Sequence, residues 1–175
     1  MILKPRQGFT LLEMLIVLAI ISIMATLILV RYREGQKTYV LSQAAQTLVG
    51  NIREAQNLAI TGAEVKKPDG NDYPRIGGYG IYIKDETHYV LFMNEESDPS
   101  ACPIGLVPQH EIKTAVKLPD GTTIDQLGKY IFYTPPNAHT CIEGDDEPII
   151  FTIRQNSSGR KIEIYVNAAG RIEVQ

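Results

Sequence analysis

The chain has 175 residues, 44% of them hydrophobic, and a formal net charge of −3. A net acidic chain gives no general reason to expect a nucleic-acid partner, and the charge is too small to indicate disorder. About 55 residues belong to a short leader and a first helical region, so the remaining 110 to 120 or so are enough for one modest globular head.

The first feature along the chain is an apolar stretch from Phe9 to Val30, preceded by a polar leader that contains Lys4 and Arg6. As a helix its 22 residues span about 30 Å, the thickness of the hydrocarbon core of a bilayer. The stretch is too long for a secretory signal peptide, and no small-residue cleavage site follows it. We therefore predict a membrane-spanning helix, with any processing signal in front of it.

Glu13 is the one ionisable group in this stretch. A carboxylate placed in a membrane costs about 2.5 to 3.5 kcal/mol at mid-depth and less near the interface. An intramembrane glutamate therefore usually has a partner, and the residues in front of Glu13 indicate what that partner is.

The string Gly8-Phe9-Thr10-Leu11-Leu12-Glu13 resembles the prepilin motif of type IV pilins, type II secretion pseudopilins and competence pseudopilins. The resemblance implies cleavage between Gly8 and Phe9 by a prepilin peptidase, which is also the N-methyltransferase of Phe9. It further implies assembly with other pilin or pseudopilin subunits, at an inner-membrane assembly platform, into a helical filament. In that filament Glu13 would pair with the Phe9 amine of a neighbouring subunit.

Physical chemistry allows two interpretations of Glu13. Cleavage would create a cationic amine, and an adjacent chain could bring it beside the carboxylate, which offsets the desolvation of both groups. Alternatively, Glu13 lies one helical turn from Phe9, at the level of the headgroups, and reaches the interface or pairs with its own amine.

The basic residues around the apolar stretch leave the membrane topology ambiguous. Lys4 and Arg6 precede the stretch, but Arg31, Arg33 and Lys37 follow it. The resemblance to prepilins implies a single-pass protein of the bacterial inner membrane, with a cytoplasmic leader and an exported head.

The two cysteines offer independent support for an exported head. Cys102 and Cys141 lie in loop-like surroundings, without a CxxC motif or a histidine at zinc-finger spacing. A disulfide between them is the simplest interpretation. It would close a loop of about 40 residues and contribute about 4 kcal/mol to the free energy of unfolding. Two reduced, unrelated cysteines are the alternative if the head is cytosolic. We expect no metal and no cofactor.

The helical pattern continues beyond the apolar stretch. Apolar residues at alternating spacings of four and three form one stripe of a helix, made of Leu41, Ala45, Leu48, Ile52, Ala55 and Ala59. Gly62 is a plausible helix end. We predict a leader over 1–8, a transmembrane and filament-core helix over 9–30, an amphipathic helix over 31–62 and a β-rich head over 63–175.

Short strands are predicted after Gly62. Residues 63–74 and 95–109 have loop composition, whereas 80–84 and 88–93 flank a three-residue turn and predict a hairpin. Residues 112–118 and 129–133 are further strand candidates. Residues 149–154, 161–166 and 171–174, joined by two turns that end in glycine, predict a meander. A long helix packed on an antiparallel sheet is an α+β architecture, as in type IV pilins.

Four further motifs resemble the GspH/FimT group of minor pseudopilins. They are Ile52-Arg53-Glu54-Ala55-Gln56, Gly78-Tyr79-Gly80-Ile81, Leu118-Pro119-Asp120-Gly121 and the run from Ile164 to Ile172. The resemblance implies a low-abundance subunit at or near the tip of a type II secretion pseudopilus or a type IV pilus. The alternative function is a binding module at the filament tip, for DNA uptake or for recognition of a substrate or surface.

Catalytic motifs are absent from the sequence: the histidines are scattered, and there is no HExxH, GxSxG or P-loop pattern. We therefore do not expect an enzyme. The acidic runs at 95–98 and 145–147 lack EF-hand spacing and are typical of solvated loops.

Some FimT-like minor pilins bind DNA through basic residues near the carboxy terminus, so the resemblance makes nucleic-acid binding an alternative for this chain. The candidates here are Arg154, Arg160, Lys161 and Arg171. Glu163 and Glu173 are interleaved with them and dilute the positive charge, so we do not expect nucleic acid as a partner.

Overall fold

The computed structural model describes residues 10–62, 76–95, 102, 108–113, 115–142 and 148–175. The chain divides into two compact units, Met1–Thr38 and Tyr39–Gln175. Helix α1, Leu11–Thr61, contributes to both units. The predicted loop over 63–74 and the acidic residues 96–98 and 145–147 lie outside the described residues.

The first unit consists, in its described part, of the amino-terminal half of α1. The apolar side chains from Leu11 to Leu29 are exposed in the isolated chain, with 79% of Leu11 and 68% of Ile28 accessible. By length and composition α1 is able to cross a membrane. The described stretch of apolar, exposed side chains is the surface expected of a helix surrounded by lipid or by other apolar helices.

In its described residues, the second unit contains the rest of α1 and ten strands, all paired antiparallel. The strands are β1 Gly78–Ile83, β2 His88–Asn94, β3 His110–Glu111, β4 Val116–Lys117, β5 Thr122–Ile124, β6 Tyr130–Thr134, β7 His139–Ile142, β8 Ile149–Gln155, β9 Lys161–Val166 and β10 Ile172–Val174. They form a six-stranded sheet ordered β3-β2-β1-β6-β7, with β4 also paired to β2, and a four-stranded sheet ordered β10-β9-β8-β5. The predicted α+β class is confirmed, with two sheets where the sequence predicted one.

The predicted stripe of α1 is buried in the hydrophobic core of the second unit. Leu48, Ile52 and Ala55 are completely inaccessible, and the core also contains Tyr79 of the six-stranded sheet and Phe151 of the four-stranded sheet. Ala45 and Ala59 of the stripe are buried in the same core, with 2% and 0% of their surfaces exposed.

Polar contacts fix the same part of α1 to the head. Asn51 Nδ2 donates to the hydroxyl of Tyr89 at 2.7 Å, and Gln56 Nε2 donates to the carbonyl of Gly170 at 3.3 Å. Lys113 Nζ lies 2.5 Å from Glu54 Oε2. Asn51 and Gln56 thus bond on either side of the apolar stripe, which limits rotation of the helix about its axis.

The Gly78-Tyr79-Gly80 motif has a packing explanation in β1. Gly80 lies directly between Phe92 of β2 and Phe132 of β6 in the sheet register. The two rings stack above it, with centroids 5.8 Å apart and planes 18° apart. A Cβ at Gly80 would lie 2.8 Å from the Phe92 ring and 2.4 Å from the Ile131 carbonyl oxygen. Glycine is therefore needed so that both rings cover the strand.

The predicted helix end, hairpin and meander are present. The helix ends at Thr61, and Gly62 adopts a φ of +57°, the left-handed conformation that glycine tolerates. β1 and β2 pair across the predicted turn, and β8, β9 and β10 form the predicted meander.

The strand predicted over 112–118 is wrong in extent. Among the described residues of this stretch, only Val116–Lys117 form a strand, because the backbone N–H groups of Ile112 and Lys113 both donate to the carbonyl of Leu91 and bend the chain. The sequence did not predict β3, β5 and β7, each of which is at most four residues long. Such short strands carry too few residues for an alternating pattern.

Candidate functional site

The amino-terminal end of α1 is closed by a side chain. The backbone N–H of Glu13 donates to Thr10 Oγ1 at 3.2 Å, which makes Thr10 the N-cap and Glu13 the third helical residue. Threonine and glutamate at this spacing are the sequence pattern of a capping box. The pattern stands in the sequence directly before an apolar run, which is the signal by which this helix start could have been predicted.

Glu13 therefore lies in the first turn of α1, where a carboxylate interacts favourably with the positive end of the helix dipole. Its neighbours Leu12 and Met14 are exposed apolar residues. Among the described residues, no cation lies within ion-pair distance of the Glu13 carboxylate. The described part of the chain thus presents an acidic group on an apolar surface without supplying its counter-charge. Gly8 and Phe9 lie outside the described residues.

The other polar side chains of the apolar stretch are bonded within the helix. Ser22 Oγ donates to the carbonyl of Leu18 at 2.7 Å, and Thr26 Oγ1 donates to the carbonyl of Ser22 at 2.9 Å. Because these hydroxyls need no external partner, they can face lipid at little cost. The carboxylate of Glu13 is the group that still requires a partner in an apolar environment.

Cys102 and Cys141 form a disulfide that closes a sequence separation of 39 residues, with Cα atoms 5.3 Å apart. The sequence predicted a loop around Cys141, and this prediction is wrong. Cys141 is buried in β7, opposite Phe132 of β6. The sulfur of Cys141 also lies 3.8 Å from His139 Nδ1. Each sulfur atom is bonded to the other, so these residues provide no thiolates for a metal ion, and we assign none.

The four basic residues considered for DNA binding all lie in or beside the four-stranded sheet. Arg154 pairs with Asp125 at 2.7 Å, Lys161 with Glu163 at 2.5 Å and Arg171 with Glu173 at 3.0 Å. Arg160 is exposed in the turn between β8 and β9.

These carboxylates would compete with a nucleic-acid backbone. The Asp125 carboxylate raises the pKa of the Arg154 guanidinium through a hydrogen bond and its charge. The Lys161 ammonium, followed by the Tyr165 hydroxyl that donates at 2.6 Å, lowers the pKa of Glu163. At Arg154, Lys161 and Arg171, phosphate groups would therefore have to compete with carboxylates that are already paired.

Comparison with protein families finds the prokaryotic N-terminal methylation motif at residues 3–29. Comparisons with curated proteins and with solved structures give no significant match. The matched segment contains Gly8, Phe9 and Glu13. The motif supports a type IV pilin-like subunit, and it implies processing by a peptidase and assembly with other pilin subunits. Together with α1, it fits a single-pass anchor in the inner membrane.

Proposed function

We propose that the chain is a minor pilin or pseudopilin of the GspH/FimT type, stored in the inner membrane with its head exported. A prepilin peptidase cleaves between Gly8 and Phe9 and methylates Phe9. The mature chain then assembles into a type II secretion pseudopilus or a type IV pilus. The observation that carries this proposal is the N-terminal methylation motif, which covers the leader and the apolar stretch up to residue 29.

The surroundings of Glu13 support a role in assembly. The described chain leaves this carboxylate without a cation, on a surface of exposed apolar side chains. Packing such a surface against the helices of other subunits removes it from water. An unpaired carboxylate makes this transfer unfavourable, because its desolvation costs free energy. The amine of a processed Phe9 from a neighbouring subunit would neutralise it and fix the axial position of that neighbour.

The disulfide supports export of the head. Disulfides persist in the periplasm and at the cell surface, whereas cytosolic thiols are kept reduced. Cys102 and Cys141 are the only cysteines of the chain, and the structure joins them.

The test is the mass of the amino terminus of the protein from native membranes and from sheared filaments. We expect a chain that begins at methylated Phe9 in both fractions. Glu13→Gln keeps a side chain that serves the capping box but removes the charge, so it should be processed normally and be depleted from filaments at least tenfold.

Thr10→Ala is the matched control, because it removes the cap at a cost of about 1 kcal/mol and leaves the carboxylate in place. It should retain most of its filament incorporation. A chain that still begins at Met1 in both fractions would refute processing. Wild-type incorporation of Glu13→Gln would refute the charge pairing.

A further inference from the structure

Three cations follow the apolar stretch of α1 within seven residues. We call Arg31, Tyr32, Arg33 and Lys37 the juxtamembrane collar. Arg31 and Arg33 are exposed, as is 66% of Tyr32, and Lys37 is half-buried. Within the described chain, none of the three cations forms an ion pair or a hydrogen bond through its side chain. Glu34 is the one acidic residue among residues 31–37, so this segment carries a net charge of +2 that an anionic surface can complement.

The collar lies at the depth of lipid headgroups if α1 crosses a membrane. The hydrocarbon core takes up the residues before Arg31, and the headgroup layer adds about 5 to 7 Å on each side. At 1.5 Å per residue, Arg33 lies about 3 Å beyond Arg31, within that layer. Lys37 lies about 9 Å beyond Arg31, just outside the layer, and its long side chain, which leans toward the amino terminus of the helix, can reach back to it. Arginine at this level reaches phosphate oxygens with two donors, and tyrosine is enriched in the same layer.

The cations surround the helix instead of lining one side. With 100° between successive residues, Arg33 and Lys37 lie four residues apart on one side, whereas Arg31 points to the opposite side. A single acidic protein partner seated on one face would reach two of them at most. Lipids surround a membrane helix completely and can neutralise all three.

We propose that the juxtamembrane collar binds the headgroups of anionic phospholipids on the side of the membrane that holds the head. This inference rests on α1 being a membrane anchor, but not on processing or on filament assembly. Bound headgroups would retain the subunit in the membrane, so the lipid charge would set how readily it is withdrawn. Each basic residue near an anionic surface raises affinity about five-fold.

Native mass spectrometry of the full chain tests the proposal. The protein is purified in dodecyl maltoside with equal amounts of phosphatidylglycerol and phosphatidylethanolamine, and the retained lipids are counted. We expect phosphatidylglycerol to be retained at least tenfold over phosphatidylethanolamine. The triple variant Arg31→Gln/Arg33→Gln/Lys37→Gln should reduce that preference to twofold or less, and Arg31→Lys/Arg33→Lys should preserve most of it.

The matched control removes three positive charges from the head instead, as Arg53→Gln/Lys84→Gln/Lys129→Gln, and should keep the full preference. Equal retention of the two lipids by the wild type would overturn the proposal, as would equal loss in the head control. If the collar variant keeps its phosphatidylglycerol but disappears from sheared filaments, the cations serve a neighbouring subunit and the lipid assignment falls. A lipid preference in a chain that still begins at Met1 would uphold this inference while refuting the proposed function.

Discussion

Tyr89 and Tyr133 are both completely buried, yet their hydroxyls differ in bonding. The Tyr89 hydroxyl accepts a hydrogen bond from Asn51 of α1, whereas the Tyr133 hydroxyl has no partner among the described residues. Burial raises the pKa of Tyr89 to about 12, with the Asn51 bond acting against it, and burial alone raises the pKa of Tyr133 further. Comparing these two tyrosines therefore measures how much one buried hydrogen bond contributes to the free energy of unfolding.

Replacing each tyrosine by phenylalanine should have opposite effects. Tyr89→Phe leaves the Asn51 amide without its partner and should lower the free energy of unfolding by about 1 to 2 kcal/mol. Tyr133→Phe removes an unbonded polar group and should be neutral or stabilising by up to about 1 kcal/mol. Urea unfolding of the full chain in detergent, followed by near-ultraviolet circular dichroism, measures both. A loss above 1 kcal/mol in Tyr133→Phe would show that its hydroxyl is bonded.

Asp85 organises the turn between β1 and β2. Its Oδ1 accepts hydrogen bonds from the backbone N–H groups of Thr87 at 2.7 Å and of His88 at 2.8 Å. The Thr87 N–H, followed by the His88 side chain, holds the pKa of the Asp85 carboxyl well below its usual range. A lowered pKa means that the ionised carboxylate stabilises the fold above the ordinary carboxyl pKa and ceases to do so as the pH falls.

We therefore expect the stability difference between wild type and Asp85→Ala to be greatest near neutral pH and to shrink below about pH 4. Thermal unfolding between pH 7 and pH 2 measures that difference. Glu86→Ala is the control, since the Glu86 side chain makes no hydrogen bond within the described chain. A difference that grows as the pH falls would contradict the assignment.

At the scale of elements, β1 depends on the absence of a side chain at Gly80. The ring of Phe92, which stacks on Phe132, and the carbonyl oxygen of Ile131 occupy the space in which a Cβ would lie. Gly50 of α1 offers the contrast, because it is exposed and a Cβ there meets no atom within 4 Å. Two Gly→Ala substitutions should therefore change the free energy of unfolding in opposite directions. Overpacking in the strand should lower it, and the smaller loss of backbone entropy in the helix should raise it.

Gly80→Ala should lower the free energy of unfolding by about 1 to 3 kcal/mol, because the rings and the Ile131 carbonyl must move. Gly50→Ala should raise it by about 0.5 to 1 kcal/mol. The same urea titration reports both variants. An unchanged midpoint in Gly80→Ala would mean that the rings move aside freely.

At the scale of the whole molecule, the core of the second unit lies within Tyr39–Gln175. Its buried apolar residues run from Leu41 to Val166, and both cysteines fall in the same range. The exposed apolar side chains of α1 before that range contribute nothing to this core. The head therefore has what a small domain needs to fold without the membrane-spanning stretch.

A fragment of residues 39–175 should be soluble and monomeric without detergent, with its disulfide formed. A fragment of residues 52–175 is the control: it lacks Leu41, Ala44, Ala45 and Leu48, which are all buried, and should aggregate. Sedimentation velocity and near-ultraviolet circular dichroism distinguish the two. Aggregation of the longer fragment would show that the head requires the amino-terminal half of α1.

The sequence predicted the elements whose signals are local. The apolar run and the stripe from Leu41 to Ala59 indicated α1, and glycine turns indicated the meander. The six-stranded sheet could not be predicted, because β1 pairs with β6 about fifty residues later, and no local pattern specifies that partner. In the candidate site, the position of Glu13 was evident from hydropathy. The pairing of Arg154 with Asp125 depends on tertiary structure and could not be predicted from the sequence.

Because β8 and β9 of the meander lie near the end of the chain, the core cannot be completed until they are synthesised. α1 is synthesised first, but Phe151, Ile164 and Val166, which share its core, follow roughly a hundred residues later. Until β8 and β9 have been synthesised and have packed against α1, part of its apolar stripe remains exposed to water. Tight turns join β8 to β9 and β9 to β10, so these strands can pair within microseconds once made. A chain interrupted before β8 would expose an uncovered helix face, the kind of surface that chaperones and proteases bind.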